Sequence, residues 1–259
     1  MIQAPTIRAL GLLSGDDRDG KATDRPGGGA PVRSLGRPPT RDDRHRRSTR
    51  ECLLAIRVVE TMLEDGHTTR AAIAGERTAL LYSTAAAYAA SNRSFIEGGG
   101  GIHFAYTAPA VVPSEVAIEF GVTGPYAIFL GGPPATLRAI WQGAMWLDAG
   151  ACDRALVLAV EIFDECSDLY ARARRLVSAP LTEVAGCLLL EPGRGRLVFE
   201  SGRGRSGRRA ARPQTAAELL GCAPLAALDR WRRDGGVAPL ALSGAWRGEQ
   251  ARLVWRPER

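Results

Sequence analysis

Residues Arg154 to Val160 read Arg-Ala-Leu-Val-Leu-Ala-Val, an apolar run without polar alternation. A strand with one face in water alternates, so this one is buried on both faces and needs a sheet covered by helices above and below. The neighbouring pattern agrees. Thr6 to Leu12, Arg77 to Ser83, Tyr126 to Leu130 and Val184 to Leu190 are further apolar runs of strand length. Between them, Glu51 to Leu63 places Leu53, Leu54, Ile56, Val58, Val59 and Met62 at helical spacing before Asp65-Gly66. Pro113 to Phe120 predicts a helix stopped by Gly121, and Pro133 to Leu147 a longer one with Leu137, Ile140, Ala144 and Leu147 along one stripe. Strands alternating with helices predict an α/β fold with a mostly parallel central sheet and helices on both faces. A sixth strand over Leu197 to Phe199, a polar helical stretch within Asp164 to Thr182, a helix from Thr215 to Arg232 interrupted near Pro224, and short strands at Ala238 to Leu242 and Arg252 to Trp255 complete the pattern.

With 45% apolar residues in 259, the chain has material for one sizeable core, and 24% charged residues exclude a wholly disordered chain. No stretch approaches the roughly 18 apolar residues that span a bilayer, so no membrane partner is expected. Met1 to Leu13 lacks the apolar block of a signal peptide, which predicts a cytoplasmic protein. The five cysteines, Cys52, Cys152, Cys166, Cys187 and Cys222, are odd in number and lack zinc-site or redox-pair spacing. They read as free thiols; no metal and no cofactor is implied. Net charge is +6, which favours acidic partners through long-range attraction.

Two segments cannot supply core. Ser14 to Thr49 is rich in Gly, Pro, Asp and Arg, so residues 13–50 are expected to form an arginine-rich, partly disordered arm. Gly193 to Pro213 carries Arg194, Arg196, Arg203, Arg205, Arg208, Arg209 and Arg212 against Glu200 alone, and reads as a solvated basic loop around one strand. A domain division follows, with an α/β unit over 1–191 and a basic loop with a short α/β C-terminal remnant over 192–259.

Gly121-Val122-Thr123-Gly124-Pro125, the strand and turn after it, the helix through Ala139-Ile140, then Gly150, Asp153, Ala155-Leu156-Val157 and Val160-Glu161, resemble in order and spacing the N-terminal half of a beta-ketoacyl synthase. Ala185-Gly186-Cys187-Leu188-Leu189-Leu190-Glu191 is similar to the strand that follows in that family. The resemblance covers roughly Thr6 to Glu191. It implies a thiolase-like half, with the second half lost or reduced to a degenerate C-terminal remnant in which Trp246 and Trp255 stand, and a homo- or heterodimer. It also gives Gly124, Pro125, Gly150, Asp153 and Glu161 structural roles.

A condensing enzyme needs a thiolate at a strand-to-helix turn, where the helix N-terminus and backbone amides stabilise negative charge. By the resemblance the cysteine falls on Pro133, and a slip of one residue gives Gly132 or Pro134; the turn Gly131-Gly132-Pro133-Pro134 is an elbow without its reactive atom. The family's charge-stabilising histidines come from the second half, whereas His45, His67 and His103 all precede the elbow. His103 follows the Gly98–Gly101 run, where a pocket role and that of an ordinary loop histidine are both open. No catalytic residue is assigned. The first function implied is a catalytically silent ketoacyl-synthase-like subunit, chain-length-factor-like or scaffold, whose partners are a full-length ketoacyl synthase and an acyl carrier protein in polyketide or fatty-acid biosynthesis. The alternative is an acyl-thioester-acting enzyme, a 3-oxoacyl synthase, acyltransferase or hydrolase, with an unassigned nucleophile. Nucleic-acid binding by the arginine segments ranks last, because charge runs usually mark solvated faces.

Overall fold

Every residue of Thr78–Thr84 and all but the first of Arg154–Glu161 are buried, as their unbroken apolar runs require. The computed structural model describes residues 2–15, 22–23, 32–39, 43–86, 89–98, 101–163, 181–203, 218–236 and 238–256. In chain order these form β1 (Ile2–Ser14), β2 (Ala22–Thr23), β3 (Val32–Arg33), α1 (Arg50–Asp65), α2 (Arg70–Ile73), β4 (Thr78–Thr84), α3 (Ala89–Ile96), α4 (Val111–Phe120) and β5 (Tyr126–Leu130). They continue with α5 (Pro133–Asp148), β6 (Arg154–Glu161), β7 (Leu181–Thr182), β8 (Val184–Arg203), α6 (Ala223–Arg233), β9 (Leu240–Trp246) and β10 (Glu249–Arg256). Short 3-10 turns cover Asp43–Arg47, Gly101–Thr107 and Leu220–Cys222.

The main sheet has the order β5-β4-β6-β8, with β1 on the far edge of β8. Parallel pairing is confined to β5–β4–β6, and β8 runs antiparallel to β6, β1 and β10. The central sheet is therefore mixed: β1, β4, β5, β6 and β10 share one direction, while β8 and β9 oppose it. Leu197 pairs with Ile2 on one side and with Trp255 on the other, so β10 continues along the edge that β6 occupies further up. A small second sheet joins β2, β3 and β7. α1 and α4 cover one face around Val58, Met62, Val116 and Phe120, and α5 and α6 cover the other around Leu137, Ile140, Leu225 and Leu228. The core is thus split by the sheet into two apolar layers, as the sequence implies.

Three expectations change. The fifth and sixth strands are one, β8, because β1 pairs along it across the polar stretch from Glu191 to Arg196. The division between residues 191 and 192 accordingly falls inside a continuous strand whose lower half carries the C-terminal hairpin β9–β10. The described parts of the expected arm, 13–15, 22–23, 32–39 and 43–50, are held against the body by the burial of Val32 in a small apolar cluster and by a buried ion pair. Arg50, at the start of α1, forks onto the fully buried Glu183 at 2.6 and 2.7 Å and donates to the Leu35 carbonyl at 2.6 Å. Glu183 also accepts from the amides of Leu35 and Phe163, both at 2.7 Å. A buried carboxylate is tolerated only when so many donors converge on it, which fixes four chain segments together. The polar helix expected within Asp164 to Thr182 lies outside the described residues, apart from β7, as do the first residues of the helix expected from Thr215, up to residue 217, and the basic stretch from residue 204.

Candidate functional site

At the end of β5 the chain reverses sharply. Gly131 has φ +143, a value favouring glycine, and its amide donates to the Thr84 carbonyl at 2.9 Å. Gly132 is the N-cap residue, and Pro133 and Pro134 fill the first helical positions of α5, where a missing N–H costs nothing. The strand-to-helix elbow therefore forms where the sequence places it, between β5 and α5.

The C-terminal hairpin closes over this elbow. A Cβ on Gly132 would lie 2.7 Å from two ring carbons of Trp246, so the indole rests directly on the bend. Two residues earlier in the strand, a Cβ on Gly244 would collide with the Cβ of Pro133. The turn that aims Trp246, Arg247-Gly248, has positive φ at both residues, the geometry of a tight two-residue hairpin. Trp246 also packs against the small apolar cluster of Val32, Ala86, Phe163, Leu181 and Leu220. The bend between β5 and α5 is thus covered by the protein's own indole.

Beneath the elbow, the 3-10 turn Leu220–Cys222 is tied into the ends of the strands. The Thr136 hydroxyl, in the first turn of α5, donates to the Gly221 carbonyl at 2.6 Å, so the Ser83 hydroxyl 2.8 Å away is the donor to Thr136. Glu161, fully buried at the end of β6, accepts from the amides of Ala85 at 2.7 Å, Ala86 at 3.1 Å and Gly221 at 3.1 Å, and from Thr84 Oγ1 at 3.4 Å. Burial pushes its carboxyl up to about 8, against the opposing pull of these donors. Leu220 is buried at φ +43, a conformation that a branched side chain adopts only when its surroundings hold it.

The other expected residues lie elsewhere. Gly124 and Pro125 lead into β5, where a Cβ on Gly124 would strike the Thr78 and Glu76 carbonyls and the Pro125 carbonyl accepts from Leu80 at 2.8 Å. Gly150 and Asp153 sit past the far end of α5, a helix about 24 Å long. There Arg77 forks onto Asp153 at 2.6 and 3.2 Å, holding its carboxyl below the usual range, and bonds the Gly150 carbonyl at 3.1 Å. His103 belongs to the turn Gly101–Thr107, but its side chain, like all of Cys166, lies outside the described residues. His45 is buried with Nε2 3.4 Å from Glu119, on the α4 side of the sheet. Cys52, Cys152, Cys187 and Cys222 are buried thiols; burial raises all four, Cys52 to about 12, and Cys222 donates to the Val184 carbonyl at 3.3 Å. Such thiols are inert as nucleophiles. Among the described residues no group of metal-binding side chains is assembled, and a groove of about 330 Å³ lies far from the elbow, at the β1 edge between Asp65 and Arg232. The sequence reading had no hold on Ser83, Thr136, Gly221 and Trp246 as one cluster; the only local signal was a Trp-Arg-Gly turn between two short apolar strands.

No protein-family model matches the sequence, and no curated protein does. Solved structures do match. The ishigamide ketosynthase/chain length factor is 13% identical with a TM-score of 0.77, over 99% of this chain and 100% of that one. A beta-ketoacyl synthase from Burkholderia phymatum STM815 is 12% identical with a TM-score of 0.71, over the whole of both chains. The type II PKS assembly AntDE:AntF, an acyl-carrier protein in complex with its ketosynthase, is 14% identical with a TM-score of 0.63, over 79% of this chain and 70% of that one. At these identities the likeness establishes the fold: the chain has the α/β fold of ketosynthases, as the resemblance implied.

Two measurements check this geometry. Gly132→Ala will lower stability by about 1–3 kcal/mol, because the added methyl strikes the indole. In a Trp246→Ala background the same change will cost about 1 kcal/mol less, so denaturant unfolding of the four proteins will show coupling; strict additivity would place Trp246 elsewhere. The second concerns pH. The folded state holds the Glu161 proton up to about pH 8, whereas an ordinary glutamate releases it near 4.5, so this group's contribution to stability is present below pH 4.5 and lost as pH rises through 8. Glu161→Gln will remove that decline from the pH profile of unfolding, and an unchanged profile would refute the assignment.

Proposed function

We propose that this chain is a catalytically silent subunit of ketosynthase fold, a chain-length-factor-like or scaffold partner of a full-length ketoacyl synthase in polyketide or fatty-acid biosynthesis in the cytoplasm. The observation that carries the reading is the occupied elbow: prolines stand at the reactive position and Trp246 covers the bend from above. A helix N-terminus stabilises developing negative charge only for a group that can reach it. Here neither a nucleophile nor a substrate carbonyl has room.

What remains available is surface. Among the described residues β5 is an outer strand paired with β4 alone, and its ends are apolar and open, with Tyr126 46% and Leu130 56% exposed. The amide of Gly131 points toward β4, so by strand alternation those of Leu130 and Ile128 point away from it, to the free edge. Ile118 on α4 and Met145 on α5 are exposed as well. An apolar edge of this kind is a template for another strand, and pairing with a second chain of the same fold would continue the sheet. The pairing of a ketosynthase with a chain length factor in one solved relative of the fold, and of a ketosynthase with an acyl-carrier protein in another, supports these two partners here. The positive net charge suits an acidic carrier. Among the described residues no helix is long and apolar enough to cross a membrane.

Co-expression with a full-length ketoacyl synthase encoded beside it will give a stoichiometric complex by size-exclusion chromatography with light scattering. The Tyr126→Lys, Leu130→Lys double variant will weaken that complex by about tenfold or more with its own melting temperature unchanged, since both side chains are surface groups on a pairing edge. A complex indifferent to these lysines, or none at all, contradicts the reading.

A further inference from the structure

A sheet edge presents a row of amides and carbonyls that another strand can pair with, and a stable protein closes the edges it does not use. Among the described residues β1 pairs with β8 alone, so its other side is an edge of the main sheet. Register shifts between Ala4 and Thr6 and between Ile7 and Ala9 break the first half of that edge, with Pro5 and Arg8 as the extra residues. Such irregularities turn an edge away from a partner. From Ala9 to Ser14 the register runs without a break, and this is the stretch of β1 regular enough to template a strand.

The middle of that stretch is capped. The Leu10 amide, turned away from β8, donates to Asp65 Oδ2 at 2.9 Å. The amide and carbonyl of one strand residue point to the same side and those of the next to the other, so Leu12 faces the edge as Leu10 does, while Gly11 and Leu13 face β8. Asp65 is the last residue of α1, and the same oxygen accepts from Arg232 on α6 at 3.0 Å. α1 and α6 lie on opposite faces of the sheet, so the ion pair passes around the edge from one helix layer to the other. Close packing brings Asp65 there: a Cβ on Gly11 would collide with the Met62 amide nitrogen and the Val58 carbonyl, which holds β1 against α1. The groove of about 330 Å³ at this edge is lined by Leu10, Leu12, Thr61, Asp65, Arg232 and the ion-paired Asp229 and Arg233. It leaves room beside the strand, but the bond that a neighbour would make at Leu10 is already made.

We propose that Asp65, seated by Arg232, guards the β1 edge: its carboxylate takes the hydrogen bond that the carbonyl of an added strand would accept, and so keeps a second copy of this chain from pairing along β1. An ion pair that merely tied α1 to α6 would be indifferent to which atom accepts from Leu10. The guard also bears on assembly, because a sheet able to pair at two edges adds copies without closing, whereas a guarded edge limits growth. It lies at the opposite end of the main sheet from β5, so the inference stands whether or not a partner binds there.

The full chain and three variants are compared by light scattering over a concentration series and by hydrogen exchange of the β1 segment. Asp65→Ala removes the cap, and Arg232→Glu, a change on the surface of α6, drives the carboxylate off Leu10 by like charge and remains readable where Asp65→Ala loses stability. In both, the Leu10 amide will exchange about tenfold or more faster in dilute solution, and the mass will rise with concentration above that of the native chain as exchange slows again. Asp65→Asn, whose amide oxygen still accepts from Leu10, will keep the native mass. Native mass and native exchange in both uncapped variants, association of Asp65→Asn to the same extent, or association that Tyr126→Lys with Leu130→Lys abolishes, which would place the contact on β5, would each overturn the proposal.

Discussion

The contact of the Trp246 indole with the Gly132 bend governs the rest of the molecule. It lets the last strands of the chain close over the first turn of α5, and it requires glycine on one side of the contact and, two residues earlier in β9, glycine against Pro133 on the other. Underneath, Glu161 and Thr136 take hold of the amide and carbonyl of Gly221 and so fix the segment that leads into α6. Elbow, hairpin and 3-10 turn therefore form one packed unit whose parts are far apart in the chain. The bend between β5 and α5 is filled by the chain's own indole, and function resides in a site rather than in the fold that carries it.

The second constraint is the buried fork between Arg50 and Glu183. It anchors the residues ahead of α1, the start of α1, the chain after β6 and the start of β8 through one carboxylate that receives every donor it needs. Replacing one partner alone would leave an uncompensated charge in the interior, the costly case for such pairs. Together the two contacts order segments that are poor in large apolar residues and add little to the core beyond Val32 and Leu35.

Much of this was legible in the residues. β5 and the start of α5 fall where apolar length and the Gly-Gly-Pro-Pro turn put them, since both signals are local. β6 was equally plain, because burial on both faces leaves no polar alternation to obscure it. β8 was read as two strands since its middle, Glu191 to Arg196, has the polarity of a loop; pairing on either side of it with β1, about 190 residues earlier in the chain, keeps it extended. The order of the arm's described parts was hidden for a similar reason: composition counts apolar side chains and is blind to a single arginine that finds a buried glutamate. At the site, the Gly-Gly-Pro-Pro bend could be read from the sequence, but the indole that covers it could not, because nothing local to Trp246 says which turn it will meet. Resemblance to ketoacyl synthases supplied the fold, and the solved structures of that fold agree with it.

The most direct test of the account is mass spectrometry of the intact chain and of Pro133→Cys after incubation with an acyl thioester, followed by a condensation assay with a malonyl thioester. A closed elbow lacking imidazole support predicts no acyl adduct on the native protein and no condensation product from either. A covalent adduct on the native chain, or turnover by Pro133→Cys, would contradict it.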